Sequence, residues 1–180
     1  CTATANDGDE GTATDTATAT VTNTPPVMTE VTVTPDSGQV GDTLTCAASA
    51  TDEDGDAVTY SYAWSTGAEG ESYTITADED PGDTITCTAT ATDATGASID
   101  GTADATVTNT DPVVAVSIAP ETAAVGETLT CTPTASDADG EEPDVAITWP
   151  DGSTGPTYTV TAANDPSSTI TCTATASDVD

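Results

Sequence analysis

Carboxylates are the only side chains in this chain whose types and spacing could do chemistry. Asp52, Asp54 and Asp56 occupy alternate positions of one short turn segment, D-E-D-G-D. The corresponding segment further along the chain contributes Asp137, Asp139, Glu141 and Glu142. Calcium accepts about six to eight oxygen ligands in a flexible geometry, and alternating carboxylates can supply them. The pattern therefore predicts a calcium site in each segment, with a solvated acidic turn as the alternative.

The formal charge excludes several classes of partner. The 180 residues include 32 Asp and Glu and no Lys, Arg or His, which gives a net charge of −32 at pH 7. Nucleic acids and anionic membrane faces are bound through basic residues, so neither is a predicted partner. No apolar run approaches the roughly 20 residues that span a bilayer, and any export signal or anchor is expected outside this sequence. Only external cations can neutralise the chain.

Catalysis would have to rely on Asp and Glu alone, because the chain has no basic side chain to act as an electrophile or anion clamp. Paired carboxylates do hydrolyse glycosides. The pairs in this chain, however, lie in turns of a repeated module that has few aromatic residues for a sugar platform. The sequence therefore predicts that the chain is not an enzyme.

A tandem repeat positions the acidic turns. The segment TITCTATATD at residues 84–93 has related copies that begin at Cys1 and Cys172, each with Thr-Ala-Thr-Ala after the cysteine and an Asp six residues beyond it. Such a fixed period indicates a repeat architecture. We predict a leading segment with the last two strands of a truncated repeat and a junction (residues 1–26), a complete middle unit (27–111), and a last unit without its final strand (112–180).

Apolar residues alternate with Thr, Ser and Glu through each unit, which is the period of β-strands. In the middle unit the pattern forms about seven short segments separated by Gly, Pro and Asp turns, as in an antiparallel sandwich. Tyr60, Tyr62 and Trp64 alternate on one such segment and are predicted to point inward. The predicted fold class is all-β, with tandem antiparallel β-sandwich domains.

Four of the five cysteines occupy inward positions of strand-like segments. None has the short spacing of a zinc site, so the sequence predicts the disulfides Cys46–Cys87 and Cys131–Cys172. Cys1 is expected to pair with a cysteine outside this sequence or in another subunit. Closing a loop of about 40 residues contributes about 4 kcal/mol in the chain-entropy model. Disulfides also indicate an oxidising, extracellular compartment.

Cys46, Trp64 and Cys87 on alternating strands, with the segment TDEDGDAVTYSYAW, resemble bacterial tandem immunoglobulin-like surface repeats of the PKD-like and cadherin-like kind. The resemblance covers essentially the whole chain. It implies tandem Ig-like sandwiches, each with one disulfide between its two sheets. Such repeats usually build stalks, adhesins and sheaths, and in the cadherin-like members calcium rigidifies the junctions.

The sandwich topology brings the acidic turns to the junctions. The turn after the second strand and the turn after the sixth emerge at the same end, where the first strand enters. Each cluster should therefore face the tail of the preceding unit, which carries Asn109 and Asp111. These carboxylates repel one another without a cation and become ligands from both sides with one. The predicted calcium ligands are Asp52, Asp54, Asp56, Asp93, Asp111, Asp137, Asp139 and Asp178.

The outward positions of the repeated strand form a row of threonines, at alternate positions from Thr84 to Thr92. A solvated β-face accounts for such a row by β-propensity alone. The alternatives are O-glycans on Thr, lateral packing between rods through an uncharged surface, and an ice-binding surface.

Two functions remain after these exclusions. The first is a structural repeat of an extracellular filament or sheath, in which copies of the chain or covalently linked repeats join head to tail. A strand supplied by another subunit is an alternative to covalent continuation. The second function is the passive stalk of a calcium-dependent adhesin at the cell surface, whose ligand-binding tip lies outside this sequence.

Overall fold

The computed structural model describes residues 1–164 and 166–178, and the chain is all-β as expected. The leading segment forms a hairpin of β1 (Thr2–Asn6) and β2 (Thr12–Thr16). The strands of the middle unit are β3 (Val27–Thr34), β4 (Ser37–Gly38), β5 (Thr43–Thr51), β6 (Thr59–Trp64), β7 (Ser72–Thr74), β8 (Thr84–Thr92) and β9 (Ser98–Val107). Those described in the last unit are β10 (Val113–Ala119), β11 (Thr128–Ser136), β12 (Asp144–Thr148), β13 (Thr157–Thr159) and β14 (Thr173–Ser177). No helix in these described ranges is long and apolar enough to cross a membrane.

The middle unit has two sheets that share one core. One sheet has the strand order β3-β5-β7 and the other the order β4-β9-β8-β6, and all pairs are antiparallel except β4 with β9. Alternation buries every second side chain of β8 from Ile85 to Ala91, and in β5 it buries Leu44 and Cys46. The buried core consists of Val33, Leu44, Cys46, Trp64, Ile75, Ile85, Cys87, Ala105 and Val107.

The last unit repeats this plan with fewer strands among its described residues. Its sheets have the orders β10-β11-β13 and β12-β14. Its buried core consists of Leu129, Cys131, Trp149, Val160 and Cys172. Each unit satisfies its buried indole in the same way, because Trp64 and Trp149 each donate a hydrogen bond of 2.9 Å, to the carbonyls of Gly70 and Gly155.

The structure contains both predicted disulfides. Cys46 on β5 is bonded to Cys87 on β8, so the bridge joins the two sheets of the middle unit, with 6.4 Å between the Cα atoms. Cys131 is bonded to Cys172 with a Cα separation of 6.2 Å. Both tryptophans belong to the clusters that contain these bridges. Cys1 is exposed and is the free cysteine of the described chain.

The tyrosines of β6 differ in depth. Trp64 is 4 % exposed and Tyr62 is half-buried, but Tyr60 is 37 % exposed. The Tyr60 hydroxyl accepts a 2.7 Å hydrogen bond from the amide of Ala50, which is on the other sheet. Tyr60 therefore closes the edge between the sheets at the end of the core, instead of filling its centre.

The threonine face of β8 is not uncharged, and the expectation of an uncharged surface is wrong. The antiparallel register places Thr86 opposite Asp104 and Thr90 opposite Asp100. Each threonine hydroxyl donates a 2.7 Å hydrogen bond to the facing carboxylate. Lateral packing of two such faces would bring these exposed carboxylates together, so it would require cations.

Candidate metal centre

The junction between the middle and last units is tied to the acidic turn of the last unit. The Thr110 amide donates a 2.6 Å hydrogen bond to Asp139 Oδ2, and the Thr110 hydroxyl donates one of 3.0 Å to Asp139 Oδ1. Asp139 is only 3 % exposed. A carboxylate at this depth needs partners for its charge, and Thr110 of the junction supplies two, its backbone amide and its hydroxyl.

Asn109 links the same junction to the turn after β14. Its amide Nδ2 donates a 3.2 Å hydrogen bond to Asp178 Oδ2. Its other side-chain atom, Oδ1, is buried and has no hydrogen-bond partner. The turn after β11 and the turn that holds Asp178 therefore meet at one junction, as the sandwich topology predicts.

Three carboxylates of the last unit converge in this turn. Asp137, Asp139 and Glu141 each offer one carboxylate oxygen, and these oxygens all lie within 4.8 Å of one another. The Asp139 amide donates a 2.8 Å hydrogen bond to Asp137 Oδ1, which folds the turn back on itself. The second oxygen, Asp137 Oδ2, is buried without a hydrogen-bond partner. This group could hold a metal ion.

The junction before the middle unit repeats the same contacts. The Thr24 amide donates a 2.6 Å hydrogen bond to Asp54 Oδ2. Asn23 Nδ2 donates a 2.9 Å hydrogen bond to Asp93 Oδ2. Asp52 Oδ1 accepts the amide of Asp54 at 2.9 Å, and Asp52 Oδ2 is again buried without a partner. Corresponding stretches of the repeat therefore form the same hydrogen bonds at both junctions.

The two junctions differ in what lies opposite the acidic turn. A Cβ placed on Gly140 would lie 3.9 Å from the carbonyl oxygen of Ala77, so the turn of the last unit lies against the middle unit. The equivalent Gly55 has nothing within 4 Å. Asp52, Asp54 and Asp56 are not among the convergent carboxylate groups of the described residues. The acidic turn at Gly140 contacts the preceding unit, and it is also the turn whose carboxylates lie close together.

Asp93 is already saturated by the protein. Its Oδ1 accepts hydrogen bonds from the Thr95 amide, the Thr95 hydroxyl and the Ala97 amide at 2.8 to 3.0 Å, and Oδ2 accepts the one from Asn23. The Asn23 amide, followed by the Thr95 and Ala97 donors, outweighs burial and lowers the pKa of Asp93 from 3.8 to about 2. Asp93 therefore anchors the junction as an ionised carboxylate and has little capacity left for a cation.

The predicted ligands thus fall into distinct positions. Asp137 and Asp139 are in the convergent group, with Glu141. Asp178 is half-buried and holds Asn109. Asp111 is exposed and lies outside the convergent group. A carboxylate that is close to the junction in sequence, such as Asp111, therefore need not belong to the group of Asp137, Asp139 and Glu141.

Sequence reasoning did not identify Thr24 and Thr110, whose amides bind the acidic turns. The signal that marks them is the dipeptide Asn-Thr, which precedes the first strand of both units at Asn23 and Asn109. The dipeptide works as a pair, because the asparagine binds one turn and the following threonine the other.

No protein-family model, no curated protein and no solved structure matches this chain.

Proposed function

We propose that the chain is a structural segment of a secreted or cell-surface protein, built from tandem Ig-like sandwiches that form an extracellular filament or sheath. Calcium at the junctions holds neighbouring units in a fixed orientation. An all-β chain with two disulfides and alternating Thr-rich strands supports this proposal. A net charge of −32 supports a role for cations, since the chain contains no basic side chain to balance it.

The observation that carries the proposal is a set of buried oxygens at the junctions. Asp52 Oδ2, Asn109 Oδ1 and Asp137 Oδ2 are buried and lack hydrogen-bond partners. A buried polar atom without a partner costs about 1 to 3 kcal/mol, so native structures keep few of them. A cation bound between the turn and the junction would give these oxygens a partner and would offset the repulsion between the carboxylates.

Calcium fits these ligands better than the other common metals. The convergent group offers carboxylate oxygens, and the adjacent Asn109 offers an amide oxygen. Zinc and copper favour nitrogen and sulfur, and this chain has no His, while four of its five cysteines form disulfides. Calcium accepts oxygens from flexible turns, with water completing its coordination.

Thermal unfolding in calcium and in chelator tests the calcium site. Calcium at about 100 times its dissociation constant should stabilise the folded chain by about 2.7 kcal/mol, which appears as an increase in Tm. Asp139→Asn should lose most of this increase, because it removes one charged ligand from the convergent group. Asp104→Asn removes the same charge from an exposed position on the face of β9 and should keep it. A wild-type Tm that is identical in calcium and in chelator would contradict the proposed calcium site.

Electron microscopy of the native secreted material tests the structural role. Ordered filaments with an axial repeat of one or two units, each on the order of 35 to 45 Å from the rise of its strands, are the expected result. Chelation should make these filaments flexible. Isolated rods that end in a different globular head would overturn the filament proposal and would identify the chain as the stalk of an adhesin.

A further inference from the structure

The middle unit has a free sheet edge along β6. In its sheet β6 pairs with β8, and its other side meets no strand of the described chain. On that side the Trp64 amide donates a 2.8 Å hydrogen bond to the Ala68 carbonyl, and the Tyr62 carbonyl accepts one of 3.0 Å from Gly70. Because backbone groups of alternate residues point the same way along a strand, those of Tyr60 also point to the free side. They have no backbone partner there among the described residues.

The other sheet is open on the same side of the sandwich. β7 pairs with β5 only at Thr43–Thr45, so the rest of β5 has no described strand on this side. The Ala50 amide finds its partner in a side chain, the Tyr60 hydroxyl at 2.7 Å. The Ala48 amide, two residues earlier, points the same way. Tyr60 therefore caps one edge with its hydroxyl, while its own backbone stays unpaired on the side away from β8.

The last unit carries prolines where the middle unit is open. The two repeats align without a gap in this region, and Pro133 takes the place of Ala48 and Pro143 that of Val58. Proline has no N–H to donate and within sheets is confined to edges and strand starts. Natural sheets use it to prevent an edge from pairing with another chain. The middle unit has the same fold without this protection.

Two glutamates lie at one end of the free edge. Glu69 forms an isolated β-bridge to β6, and the Glu71 carbonyl accepts the Cys46 amide of β5 at 2.8 Å. Both glutamates are exposed. The equivalent residues of the last unit are Thr154 and Pro156, which make the same two backbone contacts without a charge. Unpaired backbone and these two carboxylates therefore occur together in the middle unit.

A cavity of about 400 Å³ adjoins the same edge. Its lining includes Glu69, the tyrosines Tyr60 and Tyr62, and the hydroxyl residues Ser61 and Thr90. Lys and Arg side chains lay their apolar stems along such surfaces and keep their charged ends near solvent. The cavity therefore suits a basic side chain whose stem lies against β6 and whose charge lies next to Glu69.

We propose that the middle unit binds an extended, basic segment of a partner protein, which pairs with residues 58–62 as a further strand beside β6. The backbone groups of Tyr60 and the amide of Tyr62 form the ladder hydrogen bonds. Lys or Arg at alternate positions of the added strand enters the cavity beside Glu69. In strand addition the main chain supplies affinity, and pockets for alternate side chains supply specificity.

Charge complementarity favours a basic partner over a second copy of this chain. Every copy has a net charge of −32 and no Lys, Arg or His to place beside Glu69. Two copies that meet at this edge would repel each other, whereas a basic segment is attracted to it. The inference does not depend on calcium at the junctions. It adds a binding surface along the side of the proposed structural segment.

Amide hydrogen exchange of the full chain, followed by NMR, tests the position of the added strand. The probe is a synthetic peptide in which Lys alternates with Val, at about 0.15 M NaCl, where exposed charges are screened beyond about 8 Å. The peptide should slow exchange at Tyr60 and Tyr62 and leave the equivalent Val145 and Ile147 of the last unit unchanged. The same peptide with methylated backbone nitrogens keeps its charge and should have no effect. No slowing, equal slowing by both peptides, or equal slowing in both units would overturn the inference.

Titration calorimetry with the same peptide tests two residues that differ between the units. Val58→Pro copies the last unit and should weaken binding about threefold to tenfold, the contribution of one hydrogen bond. Glu69→Thr also copies the last unit and should weaken binding of the Lys peptide. Asp104→Asn removes an exposed charge from β9 and should keep the wild-type affinity. Equal affinity of all four chains would contradict the proposed edge. If a variant lowers Tm, hydrogen exchange of the wild-type chain decides instead.

The chain without peptide shows whether a second copy takes the edge. Exchange at Tyr60 and Tyr62 should be independent of protein concentration, because copies repel each other. Slowing at these two amides that increases with concentration would overturn the basic partner and would identify β6 as a contact between copies.

Discussion

Single residues at the junctions divide into carboxylates that the protein already satisfies and carboxylates that it does not. Asp93 accepts four hydrogen bonds, one of them from Asn23 across the junction. Asp52 and Asp137 each keep one buried oxygen without a donor. The first kind holds the junction together without a cation, and the second kind is available to bind one.

The pKa of Asp93 gives a pH prediction. It is about 2, below the ordinary 3.8, so the stabilisation from this carboxylate is present above pH 3.8 and is lost as the pH falls through 2. Asn23→Ala removes the largest cause of the shift and should raise the pKa of Asp93 toward its ordinary value. Carboxyl NMR titration in calcium-free buffer measures this pKa. Asn6→Ala, in the first hairpin, should leave the pKa unchanged, and an unchanged pKa in Asn23→Ala would contradict the assignment.

Gly101 gives a packing prediction. An added methyl would lie 2.7 Å from Val31 Cγ2 and 2.9 Å from Met28 Cγ, and overpacking of this kind costs about 1 to 3 kcal/mol. Gly101→Ala should lower the free energy of unfolding of the middle unit by about that amount in urea titrations. Thr102→Ala, at the adjacent exposed position, should stay within about 0.5 kcal/mol of wild type. Equal midpoints for the two variants would show that β3 moves aside without cost.

At the scale of elements, each disulfide compensates for a small core. The middle unit has one buried Leu, two Ile and no Phe in its core, with Ala at several inward positions. Small domains with little apolar burial depend on such bridges.

Removing the bridge should therefore be costly. Cys46→Ala with Cys87→Ala should destabilise the middle unit by about 4 kcal/mol, from the loop entropy of its 41-residue separation. Trp64 fluorescence during urea unfolding, in a Trp149→Phe chain, follows this unit alone. Cys1→Ala should not shift the midpoint, because Cys1 is exposed and free. A double variant with the midpoint of its parent would refute the prediction.

Most strands were predictable because period-two alternation directly encodes burial. The inward residues of β5 and β8 are the ones that the alternation predicts, fully buried along β8 and at Leu44 and Cys46 of β5, and the inward cysteines are bonded between the two sheets. β4 has only two residues, too few for any period to be visible. Residues 17–22 have the pattern of a strand but form none in the structure, because a pattern predicts which face would be buried and cannot supply a partner.

The candidate site was predictable in part for a similar reason. Alternating carboxylates and the sandwich topology correctly bring Asp137, Asp139 and Asp178 to one junction. The saturation of Asp93 was not predictable, because it depends on three local donors that have no sequence signature. Asp111 is close to the junction along the chain but is exposed. Its position in the sequence alone could not show whether its side chain faces the acidic turn or the solvent.

At the scale of the whole molecule, the charges repel one another without internal compensation. With 32 acidic side chains and no basic ones, the chain should gain stability from simple salt. In chelator, Tm should rise as NaCl increases from about 0.02 M to about 0.5 M, because screening shortens the range of repulsion to less than about 10 Å. Asp139→Asn should keep this increase while it loses most of the increase caused by calcium. A Tm independent of NaCl would contradict this view of the charge.

The bridges between the sheets also determine how the chain responds to a pull on its ends. Tension passes from β5 to β8 through the Cys46–Cys87 bond, so the segment between these two cysteines, whose sequence separation is 41, carries no load. An extended chain measures about 3.5 Å per residue, so each disulfide prevents a gain in length on the order of 140 Å when the chain is pulled. Cys131–Cys172 does the same in the last unit. Even after the two sheets separate under force, the disulfide would limit how far the chain can extend. A thiol reductant would remove this limit and make the chain much more extensible.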